Sequence, residues 1–184
     1  MRKHAFVASL LGVITLHVLL VMHFLPPGLV FSSTPLAGND YEFHAVEVTT
    51  FLSSIGDWGH SWSWSPDLLA GYPEGTIFDC DSKGMELFVL VLHRLGSPMG
   101  LAFNLYVLAA HLALVPVLYG AARLMGLDRW ACLAATGMAV LLWHFDADTH
   151  LTWRLGTISY AAVGYAGLLP LAALYAYLRS SRWA

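Results

Sequence analysis

Glu86-Leu87-Phe88-Val89-Leu90-Val91-Leu92-His93-Arg94-Leu95 is the stretch on which the fold turns, because it is strongly apolar and yet short. Ten helical residues rising about 1.5 Å each cover roughly 15 Å, half the hydrocarbon thickness of a bilayer, so the stretch cannot span. Read as an interfacial or re-entrant helix, it leaves four longer apolar runs, at 5–25, 101–124, 127–145 and 155–178. Each is close to the length that a bilayer core demands. The basic residues test the choice. With four spans and a cytoplasmic N-terminus, Arg2, Lys3, Arg123, Arg129, Arg179 and Arg182 lie inside, six of nine, while Lys83, Arg94 and Arg154 lie outside. Were 86–95 to span, only Arg2, Lys3, Arg94 and Arg154 would remain inside. The positive-inside bias selects four spans with both termini cytoplasmic.

Composition agrees. The 184 residues are 58% hydrophobic and 11% charged, with a mean hydropathy of +0.63, well outside the soluble globular average. A net charge of -3 supplies no basic footprint, which excludes nucleic acid as a partner. Cys80 and Cys132 lie in a polar loop and an apolar run, so they do not form a disulfide, and no zinc-type spacing exists. The first run follows Arg2-Lys3 and meets no small-residue cleavage site before Pro26-Pro27. It is longer than a usual signal-peptide core and reads as an uncleaved signal-anchor. The expected fold is a single all-α polytopic membrane domain over 1–184, with four transmembrane helices, in the plasma (inner) membrane. Trp130 and Trp183 fall at inner ends and Trp143 and Trp153 at outer ends, as interfacial belts require.

This topology sorts the acids. Eleven of the twelve carboxylates face outward: nine in the external loop 26–100, and Asp146 and Asp148 in the second external loop. Within the first loop, Asn39 followed by Glu42 resembles a capping box and predicts an amphipathic helix from Asn39 to Ile55, lying along the membrane surface. Asp40, His44, Glu47 and Phe51 are expected on one face, and Ala45, Val48, Leu52 and Ile55 on an apolar one. Gly56-Asp57-Trp58-Gly59 ends it, and an aromatic, turn-rich stretch follows through Trp62, Trp64, Pro66-Asp67 and Gly71-Tyr72-Pro73.

The order of these features resembles the N-terminal part of GT-C type integral-membrane glycosyltransferases. The resemblance rests on an apolar anchor, Asp40 opening the external loop with His44 four residues on, Gly56-Asp57-Trp58, Trp64-Ser65-Pro66-Asp67, Gly71-Tyr72-Pro73 and then an interfacial helix. The chain departs from that family at Phe78-Asp79-Cys80-Asp81-Ser82-Lys83-Gly84, where many relatives carry a Tyr-Pro-Pro-Leu-like stretch, and in having fewer spans. The resemblance implies a lipid-phosphate-linked sugar donor used at the extracytoplasmic face, with membrane lipid around it. It also implies a further membrane subunit or additional C-terminal helices as partners. It places Asp40 at the position of the catalytic carboxylate, and it matches Asp146-Ala147-Asp148 to a D-x-D pair in the second external loop.

The chemistry is coherent. Inverting glycosyl transfer needs a base for the acceptor proton, and a partly desolvated carboxylate serves. His44, Glu47, Lys83, Arg94 and Arg154 are the candidates for donor contact. Charge on the departing phosphate calls for these cations or for a divalent ion, magnesium or manganese, on Asp146 and Asp148. Each reading has a plainer rival. Asp40 is equally placed to begin a helix, and Asp146 and Asp148 suit a solvated loop. His144 and His150, which flank that pair, are ligands or merely wet histidines. Asp79 and Asp81 either bind a cation or satisfy Lys83. The tryptophans are expected to anchor in the interface more than to stack on sugars, and His111, inside a span, is expected to bond another helix. The alternative function is a non-catalytic assembly subunit, or a degenerate relative that binds lipid or glycan. A transporter fits less well, because the acids lie in loops rather than at mid-membrane.

Overall fold

The computed structural model describes residues 2–65, 71–74 and 83–180. The motifs at Pro66-Asp67 and at Asp79, Cys80 and Asp81, with Arg182 and Trp183, lie outside the described residues. The architecture is all-α apart from one three-residue pairing. In order the elements are α1 (Arg2–Phe24), α2 (Pro27–Val30), α3 (Asp40–Trp58), β1 (Ser63–Ser65), β2 (Tyr72–Glu74), α4 (Lys83–Arg94), α5 (Met99–Leu124), α6 (Arg129–Phe145), α7 (Ala147–Leu155), α8 (Ile158–Ala166) and α9 (Leu168–Arg179). Three helical stretches among the described residues are long and apolar enough to cross a membrane: Lys3–Phe24, Met99–Leu124 and Ile158–Arg179. A fourth crossing exists if α6 and α7 count together, across a 58° bend. The chain is thus polytopic, and α4, at twelve residues, is too short to join the spanning set.

Contacts gather the described residues into two compact units. One comprises 2–26, 109–154 and 160–180. In it α1 packs against α6, with Phe6 edge-on to Trp130 at 5.4 Å and the Arg129 guanidinium over the same ring at 5.1 Å. Val21, Cys132, Leu133 and Val140 fill the interior. The outer faces of α1, α8 and α9 expose Val7, Leu11, Leu19, Val163, Leu171 and Leu174, an apolar surface that water would penalise and lipid would not. Asp128 caps α6, its Oδ1 accepting from Trp130 N–H at 2.8 Å and Ala131 N–H at 3.2 Å.

The other unit comprises 27–65, 71–74, 83–108 and 155–159. Here α3 packs on α4, and β1 pairs antiparallel with β2, Trp64 opposite Pro73. Asn104 of α5, fully buried, ties down the segment that leads to α3. Its Oδ1 accepts from Leu36 N–H at 2.7 Å, and its Nδ2 donates to the carbonyls of Leu29, Ser32 and Thr34 at 3.2, 3.3 and 2.9 Å. Gly100, one turn earlier, lets the same segment pass: a Cβ there would run into Ser33 O and Pro35.

Several expectations need correction. The capping box before α3 does not close. Asn39 has φ 52° and makes no side-chain cap, because that backbone turns it away from the helical N–H groups, while Glu42 Oε1 accepts instead from Gly38 N–H at 3.1 Å. The helix starts at Asp40 and runs on to Trp58. Its inner face is also rotated from the expected one. Glu47 and Phe51 are buried with Tyr41, Ala45, Val48 and Ser54, because Glu47 is carried inward by its bond to His44 and Phe51 lies beneath Lys83. The last apolar run divides: Leu155 ends α7, and the stretch from Ile158 is interrupted at Gly167. Trp143 and Trp153 are not lipid-facing belts. They are 6% and 3% exposed, because their indole N–H groups are drawn inward to hydrogen-bond acceptors.

Candidate functional site

Asp40 is the first residue of α3 and is half-buried. Among the described residues no hydrogen bond or ion pair occupies its carboxylate. Tyr41 beside it is buried, and that burial raises its phenol above the ordinary value, so it stays protonated. Against this first turn lies Gly156, at φ 95°, where a Cβ would stand 2.5 Å from Tyr41 N and 2.9 Å from its ring. The loop 155–159 therefore reaches the start of α3 only because residue 156 has no side chain.

Of the other expected donor-contact residues of this unit, His44, Glu47 and Lys83 are already partnered. His44 Nδ1–H donates to Glu47 Oε2 at 2.8 Å, one helical turn away. Lys83 Nζ donates to both oxygens of buried Glu86, at 2.8 and 3.1 Å, and stands 5.5 Å from the centre of the Phe51 ring. Arg94 is exposed and, with His93, Leu52, Gly56 and Leu90, lines a shallow cavity of about 370 Å³.

In the first-described unit, Asp146 closes α6 and opens α7. Its Oδ2 accepts from Thr149 N–H at 3.0 Å and from the Thr149 hydroxyl at 3.1 Å. Those bonds hold its carboxyl below the usual carboxylate range. Asp148, in the first turn of α7, is exposed, and Arg154 in the last turn is exposed too. Two bonds lace α7 back to the end of α6: His150 Nδ1–H to His144 O at 3.1 Å, and Trp153 Nε1–H to Trp143 O at 3.0 Å. Among the described residues no three His, Cys, Asp or Glu side chains come together in a metal-holding arrangement.

Behind this turn lies a chain of buried histidines whose protons can be placed by logic. A carbonyl only accepts, so His17 Nε2 donates to His111 O at 2.8 Å. A neutral His17 then has a bare Nδ1, which accepts from His144 Nε2–H at 3.1 Å. Trp143 Nε1–H donates to His111 Nδ1 at 2.9 Å. His111 Nε2–H and His144 Nδ1 are left without a partner among the described residues. Phe24 stacks on His144 at 5.9 Å, and Trp153 stands edge-on to His111 at 5.2 Å. His111 does bond a neighbouring helix, as the sequence suggested. His17 is not among the residues the sequence singles out, because it lies inside the apolar run 5–25; its signal is a polar ring placed mid-span, where lipid offers no partner.

No protein-family model, curated protein or solved structure matches this chain.

Proposed function

We propose that this chain is a membrane glycosyltransferase of GT-C type, or the N-terminal portion of one, acting at the extracytoplasmic face of a plasma (inner) membrane with cytoplasmic termini and four spans. The observation that carries the reading is Asp40. A half-buried carboxylate, unengaged among the described residues at the start of α3, suits a base that has oxygens available to accept a proton and little solvent to lose on binding. The acceptor hydroxyl attacks the anomeric carbon of a lipid-phosphate-linked sugar. Asp40 takes the hydroxyl proton, the C–O bond to phosphate breaks, and configuration inverts. The leaving phosphate gains charge that cations would offset, and Arg94 and Arg154 are both exposed. A magnesium or manganese ion on Asp146 and Asp148 would have to take Asp146 from Thr149.

That last point favours a second reading. Asp146 serves as a helix cap and Lys83 as the partner of Glu86, so two of the expected donor-site groups have structural work. A non-catalytic assembly subunit, or a degenerate relative that binds lipid or glycan, would keep both. One substitution separates the readings. Asp40→Asn retains shape and helix-start propensity but cannot take a proton, and should lower sugar transfer by about a hundred- to ten-thousand-fold in the active assembly while leaving folding and donor binding intact. Full transfer activity in Asp40→Asn would remove the catalytic reading.

A further inference from the structure

The mechanism above leaves unused the far end of α6 from Asp146, where α5 turns into α6 within the unit formed by 2–26, 109–154 and 160–180. The turn is tightly closed. Leu127 N–H donates to Ala122 O at 3.2 Å and Gly126 N–H to Arg123 O at 3.0 Å, a Schellman pairing that Gly126 permits through its φ of 90°. Guanidinium groups come onto this turn from two directions. Arg123, in the last turn of α5, donates from Nη1 to Leu127 O at 2.7 Å. Arg179, in the last turn of α9, lies over the glycine, so that a Cβ on Gly126 would stand 3.0 Å from its Nη1. Arg129 opens α6 just beyond the turn and is steadied by Phe6 of α1, its guanidinium 5.1 Å from the ring centre.

Little nearby offsets these charges. Asp128 is the one acid between Arg123 and Arg129, and its Oδ1 is shared by the Trp130 and Ala131 N–H groups at the start of α6. Among the described residues neither Arg129 nor Arg179 makes a hydrogen bond or ion pair, and Arg123 has committed one of its five donors. Guanidinium forks on a fixed turn suit an anion that accepts several hydrogen bonds at once, and phosphate does so best. The surroundings say where that phosphate comes from. Leu124, Leu127 and Trp130 are 43%, 38% and 42% exposed around the same turn, at the level where the apolar span of α5 ends. Trp at that level marks the headgroup zone, and a phosphate joined to acyl chains meets both the arginines and the apolar rim. A zwitterionic headgroup would bring an ammonium group among arginines whose one neighbouring acid already caps α6. Net negative charge is therefore preferred. We infer that the α5–α6 turn binds the phosphate of an anionic phospholipid through Arg123, Arg129 and Arg179.

Native mass spectrometry of the full chain released from detergent micelles reads the bound lipid directly. Phosphatidylglycerol should bind about tenfold more tightly than phosphatidylcholine with the same acyl chains. Arg179→Gln should lower that preference about fivefold, and the double variant Arg123→Gln with Arg179→Gln should abolish it. Both side chains are exposed, so helical circular dichroism and phosphatidylcholine binding should stay unchanged, which separates a lost preference from a lost fold. Arg123→Lys with Arg179→Lys keeps the charge but not the forks, and should retain only part of the preference. Full preference in that lysine pair would reduce the patch to diffuse charge and overturn the inference. Millimolar inorganic phosphate should leave phosphatidylglycerol in place; displacement of the lipid would assign the turn to a soluble anion and overturn it as well. So would equal binding of the two lipids by the unaltered chain, or an undiminished preference in the double glutamine variant. None of these readouts involves Asp40, so the site stands or falls apart from the glycosyltransferase reading.

Discussion

Replacing Asn104 by alanine should unlatch the segment before α3 while leaving α5 itself intact. The amide Nδ2 carries two hydrogens, so its three carbonyl acceptors share about two full bonds, and the Leu36 N–H makes a third. At about 1 kcal/mol net for each bond, with about 1–3 kcal/mol more for a buried group left orphaned, the change amounts to roughly 4 kcal/mol. That corresponds to about a thousandfold in the local opening equilibrium. Hydrogen exchange followed by mass spectrometry on the chain in nanodiscs reads it directly. Peptides covering 29–39 should exchange about a thousandfold faster, up to the ceiling set by global unfolding, while those covering the middle of α5 keep their protection. Asn104→Asp is the informative control: it retains an acceptor for Leu36 N–H but turns negative oxygens toward three carbonyls, so it should exchange at least as fast as alanine. Protection of 29–39 within threefold of the unaltered chain in Asn104→Ala would refute the idea that this side chain holds the approach to Asp40.

Gly156→Ala should destabilise the unit that contains α3 by roughly 2–4 kcal/mol, since the new Cβ meets both Tyr41 and an unfavourable positive φ. A fall in apparent Tm in mild detergent checks this, with Gly12→Ala, whose Cβ meets nothing within 4 Å, expected to be near neutral. Asp146 should make the start of α7 sensitive to acid. Its folded carboxyl sits below the ordinary value, so its contribution is present above the unfolded-state pKa and is lost as pH falls through the lower folded value. Amide exchange at Thr149, measured from neutral to acidic pH, should accelerate in that window, and Asp146→Asn should flatten the response.

The helices that cross are written in runs of apolar residues, a signal local enough to read without a partner. The start of α4 was set three residues late, at Glu86, because Lys83 looks like loop until Glu86 is seen to hold it. The inner face of α3 was misjudged because helical periodicity locates a stripe but not the neighbour that covers it. Glu47 turns inward with His44, a choice made by packing on α4. Asp146 is read from the sequence as a metal ligand or a solvated loop acid, whereas its bonds to Thr149 N–H and hydroxyl make it the cap at the start of α7. What could not be read were pairings between distant residues. Asn104 meets Leu36 across 68 positions, and His17 meets His144 across 127, and no local pattern announces either.

The histidine chain also bears on biogenesis. His17 leaves the ribosome inside the first apolar helix, long before either of its partners has been made. Its carbonyl acceptor on residue 111 follows 94 positions later and the His144 donor 127 positions later. Until α5 and α6 are synthesised, a polar ring sits in α1 with nothing in hydrocarbon to satisfy it. The early helix therefore completes its own hydrogen bonding only when the later helices arrive, so the packing of α1 is tied to the far end of the chain.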